Sequence, residues 1–151
     1  KFWDDEFNHD NKYLRARIRN NLRPALEFAI GENTYQALAK SAQILQSDQD
    51  FIIGYVQNEL QDLARSAKFE LPLEISISRL GKIHDAVRLR VFRELLYFLG
   101  APSGKINYDH LQRCNSLVID YHGQKKIDLP GLISLSRQGE KLIFDRTVRK
   151  V

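Results

Sequence analysis

From residue 34 to residue 71 the chain contains no proline, and Leu38, Ala42, Leu45, Ile52, Val56, Leu60, Leu63 and Ala67 recur at the spacing that lines one face of an α-helix. Asn33 or Thr34 can cap its start, and Pro72 closes it. At a rise of about 1.5 Å per residue the stretch makes a helix of about 50 Å. A kink near residues 47–50 or at Gly54 stays open. Everything else in the chain has to be arranged around this one element.

Before it, residues 11–23 read NKYLRARIRNNLR, with Leu14, Ile18 and Leu22 as an apolar stripe and arginines on the other faces. Pro24 either breaks that helix or sits in the first turn of the next one, which runs through Leu26 and Phe28 to Gly31. A helical hairpin is expected here. After Pro72, residues 74–78 alternate as a short strand or an extended linker. Gly81 then precedes a helix carrying Ile83, Val87, Val91, Leu95 and Leu99, which Gly100 and Pro102 terminate. A short helix over residues 107–115 gives way to strand-like texture from Ser116 on, punctuated by turn signals at residues 122–124, Pro130-Gly131 and Gln138-Gly139.

The expected fold is therefore mainly α: a helical bundle with a long central helix, followed by a small β-hairpin-rich α+β end. It divides into residues 1–23 (linker and first basic helix), 24–104 (helical domain) and 105–151 (small hairpin-rich region).

With 151 residues, 43% of them hydrophobic, the chain can bury a real core without disulfides or metal. The single cysteine, Cys114, excludes an internal disulfide framework, and no apolar stretch follows a basic start, so a reducing cytoplasm is the expected compartment. The most apolar segment, residues 87–99, is interrupted by Arg88, Arg90, Arg93 and Glu94, which excludes a membrane span there. The chain lacks methionine and opens on Lys1, so a preceding segment is expected.

Lys plus Arg number 23 against 19 Asp plus Glu, and the basic residues cluster. Clusters matter more than the net +4, because a local basic face is what attracts phosphate. Asn8 or Asp10 can accept amide hydrogens at the start of the first helix, Arg15 and Arg19 project four residues apart as a phosphate clamp, and Tyr13 offers a stacking plane for a base. The plain alternative is a capped helix whose arginines pair with Asp4, Asp5 and Glu6. Arg88, Arg90 and Arg93 form a second candidate patch, with a solvated helix face as the competing reading. Lys125, Lys126, Arg137 and Lys141 can touch RNA or simply protect strand edges.

His110 and Cys114 stand four residues apart without a further ligand pair, so no metal site is expected. His9, His84 and His122 lack a nucleophile context, and the carboxylates Asp4, Asp5, Glu6 and Asp10 are assigned to capping and charge balance. No catalytic residue is expected within the chain.

The opening stretch DEFNHDNKYLRARIR resembles the linker and first helix of the tRNA(Ile)-lysidine synthases. Asp5, Asn8, Asp10, Tyr13, Arg15, Ile18, Arg19 and Pro24 stand where that family has the same or similar residues. Phe7 takes the place of a serine and Ala16 that of an asparagine. The resemblance continues in order through LAKSAQILQSDQDFI, AVRLRVFRELLYFLGA and IDLPG, covering nearly the whole chain.

It implies part of a ligase that uses ATP, with Mg, to adenylate the wobble cytidine of the tRNA(Ile) bearing a CAU anticodon, after which free lysine displaces AMP to form lysidine. The family's Ser-Gly-Gly-x-Asp-Ser loop for ATP is absent from this sequence. The resemblance thus implies a tRNA-recognition portion, inactive alone, with Arg15, Arg19, Asn8 and Tyr13 at the tRNA or the active-site seam and Arg88, Arg90 and Arg93 on the tRNA backbone. A homodimer stays open. The alternative from another class is a helical protein-interaction module with basic patches and no RNA role.

Overall fold

The computed structural model describes residues 12–120 and 125–147. Asn8, the residues Asp4, Asp5, Glu6, His9 and Asp10, and the turn expected at residues 122–124 lie outside the described residues. The chain divides into two compact units, residues 1–49 and 50–151.

In the first unit, α1 (Leu14–Arg17) opens into a π-helical segment (Ile18–Leu22) and returns to α geometry as α2 (Arg23–Ile30). Pro24 thus sits in the first turn of α2 without ending the helical path. A proline donates no backbone hydrogen bond, and its ring presses on the carbonyl four residues back, here that of Asn20. The wider π turn, in which the Arg23 amide donates to the Ile18 carbonyl, relieves that clash.

The same turn breaks the 3.6-residue phase between Leu14 and Leu22. The expected stripe accordingly does not pack: Leu14, Ile18 and Leu22 are exposed, and Ala16 is the buried residue of α1. Gly31 ends α2, and the Thr34 hydroxyl donates to its carbonyl at 2.5 Å where α3 begins. α3 (Thr34–Ser66) is a single helix of 33 residues, running unbroken through residues 47–50 and Gly54.

The second unit carries the core. Four antiparallel strands, β1 (Leu73–Ser76), β2 (Lys126–Leu129), β3 (Ile133–Gln138) and β4 (Lys141–Arg146), lie in the order β1-β4-β3-β2. Residues 74–78 resolve into the end of β1 and the start of a short helix, α4 (Ile77–Gly81), that the sequence pattern did not reveal. α5 (Asp85–Phe98) and α6 (Tyr108–Ile119) complete the fold. The core joins Val56 and Leu63 of α3, Leu73 and Ile75, Val91, Phe92, Leu95 and Leu96, Cys114 and Leu117, and Ile133, Leu135, Leu142 and Phe144. Rings of Phe92 and Phe144 meet at 6.5 Å between centroids.

Residues 116–119 read as the onset of strand texture, yet α6 continues to Ile119. Leu111, Cys114, Leu117 and Val118 keep helical spacing and are all buried, so packing overrides the β preference of Val118. A capping box fixes the other end: the His110 amide donates to Asn107 Oδ1 at 3.0 Å, and the Asn107 amide donates to His110 Nδ1 at 3.2 Å. The chain is mainly α, with a small antiparallel sheet giving it an α+β character.

The Pro130-Gly131 signal is a three-residue turn between Leu129 and Ile133, in which Gly131 has φ 87 and Leu132 φ 56. A Cβ on Gly131 would lie 2.8 Å from the Ala101 Cα. Only glycine lets this hairpin close against the chain that follows α5.

Candidate nucleic-acid interface

Arg15, Arg17 and Arg19 lie on α1 and the π segment with exposed side chains, and among the described residues none has a hydrogen-bond or ion-pair partner. Arg17 belongs with the two arginines singled out from the sequence. Its place in the alternating LRARIR run was the available signal, missed because only the four-residue spacing was weighed. Arg23 is engaged locally, bonding Glu27 at 2.9 Å and lying 5.0 Å from the Tyr35 ring centroid.

Tyr13 precedes α1, half exposed, and its carbonyl accepts from the Arg17 amide at 3.0 Å. Its ring makes no cap. Asn8 falls outside the described residues. The first unit therefore presents three guanidinium groups, unpaired among the described residues, and one phenol ring on a short length of helix. Such groups bind phosphate by charge and by forked N–H donors.

The second candidate patch needs correction. Arg88 is 2% exposed and turned inward, one helical turn before Val91 and Phe92 on the face of α5 that enters the core. Its Nε donates to Asn115 Oδ1 at 2.6 Å, its Nη1 to the carbonyls of Leu80 at 3.1 Å and Ile83 at 2.7 Å, and its Nη2 to Asp85. A guanidinium so used has nothing left for phosphate. It ties the α4–α5 connection to α6 and satisfies carbonyls that burial would otherwise leave unpaired. Arg90 and Arg93 are half-buried, Arg90 donating to the Ala86 carbonyl at 2.7 Å and Arg93 to Glu94 at 3.4 Å.

The remaining candidates have local tasks. His84 caps α5 by accepting from the Ala86 amide at 3.2 Å, and His110 is committed to its capping box. Cys114 is fully buried, and desolvation pushes its thiol up to about 12. Arg137 donates to the Leu117 and Val118 carbonyls at the end of α6, and Lys141 bonds Glu74 across strands β4 and β1 at 2.8 Å. Among the described residues no three His, Cys, Asp or Glu side chains gather as a metal site, and no helix is long and apolar enough to cross a membrane.

No family model matches the chain. It is similar to the tRNA(Ile)-lysidine synthase of Streptomyces coelicolor, 32% identical over 142 residues that take in 94% of this chain and 39% of the relative. The synthase of Thermobifida fusca is 30% identical over 129 residues, 85% of this chain and 38% of the relative. That of Tropheryma whipplei is 31% identical over 150 residues, 98% of this chain and 35% of the relative. The chain thus spans rather less than half the length of these curated relatives. Matched along nearly all of its own length by several such enzymes, it belongs to the tRNA(Ile)-lysidine synthase family.

Proposed function

We propose that this chain is the tRNA-recognition portion of an ATP-dependent ligase that joins lysine to the wobble cytidine of the tRNA(Ile) with a CAU anticodon. The observation that carries the reading is the row Arg15, Arg17 and Arg19, exposed and without partners among the described residues, in a chain of this family. Tyr13 stands beside the row as a stacking surface, and Asn8 belongs to the same segment of sequence. Arg90 and Arg93 remain as a reduced second contact to the tRNA backbone, with Arg88 removed from it.

Among the described residues of this chain none forms a site that fits ATP or its Mg. Its glycines stand singly, and no acidic cluster forms among the described residues. The nucleotide and lysine belong to parts of the relatives' length outside the matched span, and this chain alone forms no lysidine. What it contributes is geometry: an RNA held by its phosphates presents one base repeatedly in the same place, which converts an encounter into a positioned reaction. A cytoplasmic setting and a homodimer are compatible with this role.

The test is a titration with a tRNA(Ile) transcript bearing the CAU anticodon at several salt concentrations. Arg15→Ala and Arg19→Ala each weaken binding and flatten the salt slope by about one unit per lost phosphate contact. Unchanged affinity and slope in both variants would sink the reading.

One observation favours the alternative of a protein-interaction module: Phe28 is 95% exposed, with Ile30 at 70% and Leu45 at 67% in the same unit. On that reading the chain binds tRNA weakly, without preference for the CAU anticodon, and the same titration separates the two.

A further inference from the structure

The second unit holds an aromatic pair beside a cavity. Phe69, between α3 and β1, and Phe98, the last residue of α5, stack with ring centroids 5.4 Å apart and planes inclined by 39°. Phe98 is nevertheless 61% exposed, at the end of a helix whose preceding turns bury Val91, Phe92, Leu95 and Leu96. A cavity of about 270 Å³ opens beside the pair, lined by Phe69, Glu70, Leu71, Phe98, Leu99 and Arg146.

Arg146 reaches this place for a definite reason. Along β4 the side chains alternate, so Arg146 falls on the same face as Leu142 and Phe144, both fully buried. It is the last residue of the strand and lies at the margin of the core, where its guanidinium is exposed. Among the described residues neither the Arg146 guanidinium nor the Glu70 carboxylate has a hydrogen-bond or ion-pair partner. The cavity therefore offers an aromatic wall, with a cation and a carboxylate that are unpaired among the described residues.

We infer that this shelf receives one unpaired nucleobase of an RNA, guanine by preference, with the adjoining phosphate on Arg146. This deepens the RNA-binding reading above and rests on it. An exposed aromatic face takes up a base by stacking, and a cation beside it takes the phosphate. A carboxylate repels that phosphate, so Glu70 orients the ligand with the base edge towards itself. Guanine alone among the common bases presents two adjacent donors on its Watson–Crick edge, N1–H and N2–H, to a carboxylate that only accepts. The volume is slightly under the roughly 300–1,000 Å³ of ordinary small-molecule pockets, which suits a single ring system with its sugar outside.

Two measurements on the 151-residue chain decide the matter. In the first, the chain carries 4-fluorophenylalanine, the Phe98 signal is assigned with Phe98→Leu, and ¹⁹F spectra follow additions of GMP, CMP or ribose 5-phosphate. GMP moves the Phe98 signal upfield to saturation, CMP does so less readily, and ribose 5-phosphate leaves it in place. Arg146→Ala weakens the GMP response, and Glu70→Gln removes the preference over CMP. In the second, Phe98→Ala lowers affinity for the CAU-anticodon transcript about tenfold, and Phe98→Trp restores it.

A Phe98 signal that no nucleotide moves overturns the shelf, as does full tRNA affinity in Phe98→Ala; a signal moved equally by ribose 5-phosphate shows that no base stacks and overturns it too. If Arg15→Ala still weakens tRNA binding in that case, the RNA reading stands without the shelf. If the unsubstituted chain ignores tRNA, the RNA reading falls and the occupant inferred here falls with it, whatever GMP does.

Discussion

The Arg88 guanidinium serves two carbonyls, one amide oxygen and one carboxylate from within the core, and among the described residues no buried side-chain nitrogen or oxygen is left unpaired. Counting charges along the sequence placed Arg88 on a solvated face, because a basic residue between apolar ones on a helix is ordinarily at the surface. What sequence could not display was the set of acceptors, contributed by α4, α5 and α6 and the connection between the first two. Arg88→Ala leaves those acceptors dry and should cost about 3–5 kcal/mol, lowering the Tm by about 10 °C. Arg88→Lys recovers little, since three donors on one atom cannot reproduce a planar fork. A Tm within a degree or two of the parent for Arg88→Ala would contradict this account.

Cys114 makes a second residue-scale prediction. Its thiol ionises at its usual 9.0 in the unfolded chain and at about 12 in the folded one, because burial penalises the thiolate. The native state thus holds its proton at pH values where the unfolded state has lost it. The contribution to stability is complete below about pH 9 and is lost as pH rises towards 12. At pH 8 iodoacetamide should label the native thiol more than about 100-fold slower than the urea-unfolded one. Comparable rates would mean that the buried environment is wrong.

At the scale of elements, two glycines give opposite expectations. Gly131→Ala puts a Cβ against the Ala101 backbone at a positive φ and should destabilise by about 2 kcal/mol or more. Gly54→Ala, inside α3 with open space around it, should stabilise by about 0.5–1 kcal/mol. Urea midpoints that move in the same direction for both would refute the reasoning.

Helices were the more legible elements. α3 and α5 follow from apolar spacing that both their length and their stop signals reinforce, and the hairpin turns follow from Pro130-Gly131 and Gln138-Gly139. The π segment was not legible, since it answers a local steric conflict at Pro24 that periodicity does not register. Nor was the extent of α6, where Val118 is held helical by what it and the helix's other buried residues pack against. Of the candidate interface, sequence revealed the arginines but not which of them face solvent.

For the molecule as a whole, the division of burial is uneven. Of the described residues before Asp50 only Ala16 and Thr34 are buried, whereas the second unit holds all of the hydrophobic core. Protection of backbone amides should follow that division: little in residues 14–30, and protection near the global limit in α5, α6, β3 and β4. Hydrogen exchange followed by mass spectrometry reads this directly. Equal protection in residues 14–30 and residues 91–96 would be incompatible with it, and added tRNA should raise protection in the former.

The pairing of β1 with β4 carries a consequence for the birth of the molecule. Leu73–Ser76 leaves the ribosome well ahead of Lys141–Arg146, with three helices and the other two strands made in between. Until that last strand arrives, a short row of backbone donors and acceptors waits without its mate, and contacts so far apart along the chain are slow to form. Completion of the sheet thus waits for β4 to be made, and a nascent chain halted before residue 141 would expose an unfinished seam to which chaperones or other nascent chains can attach.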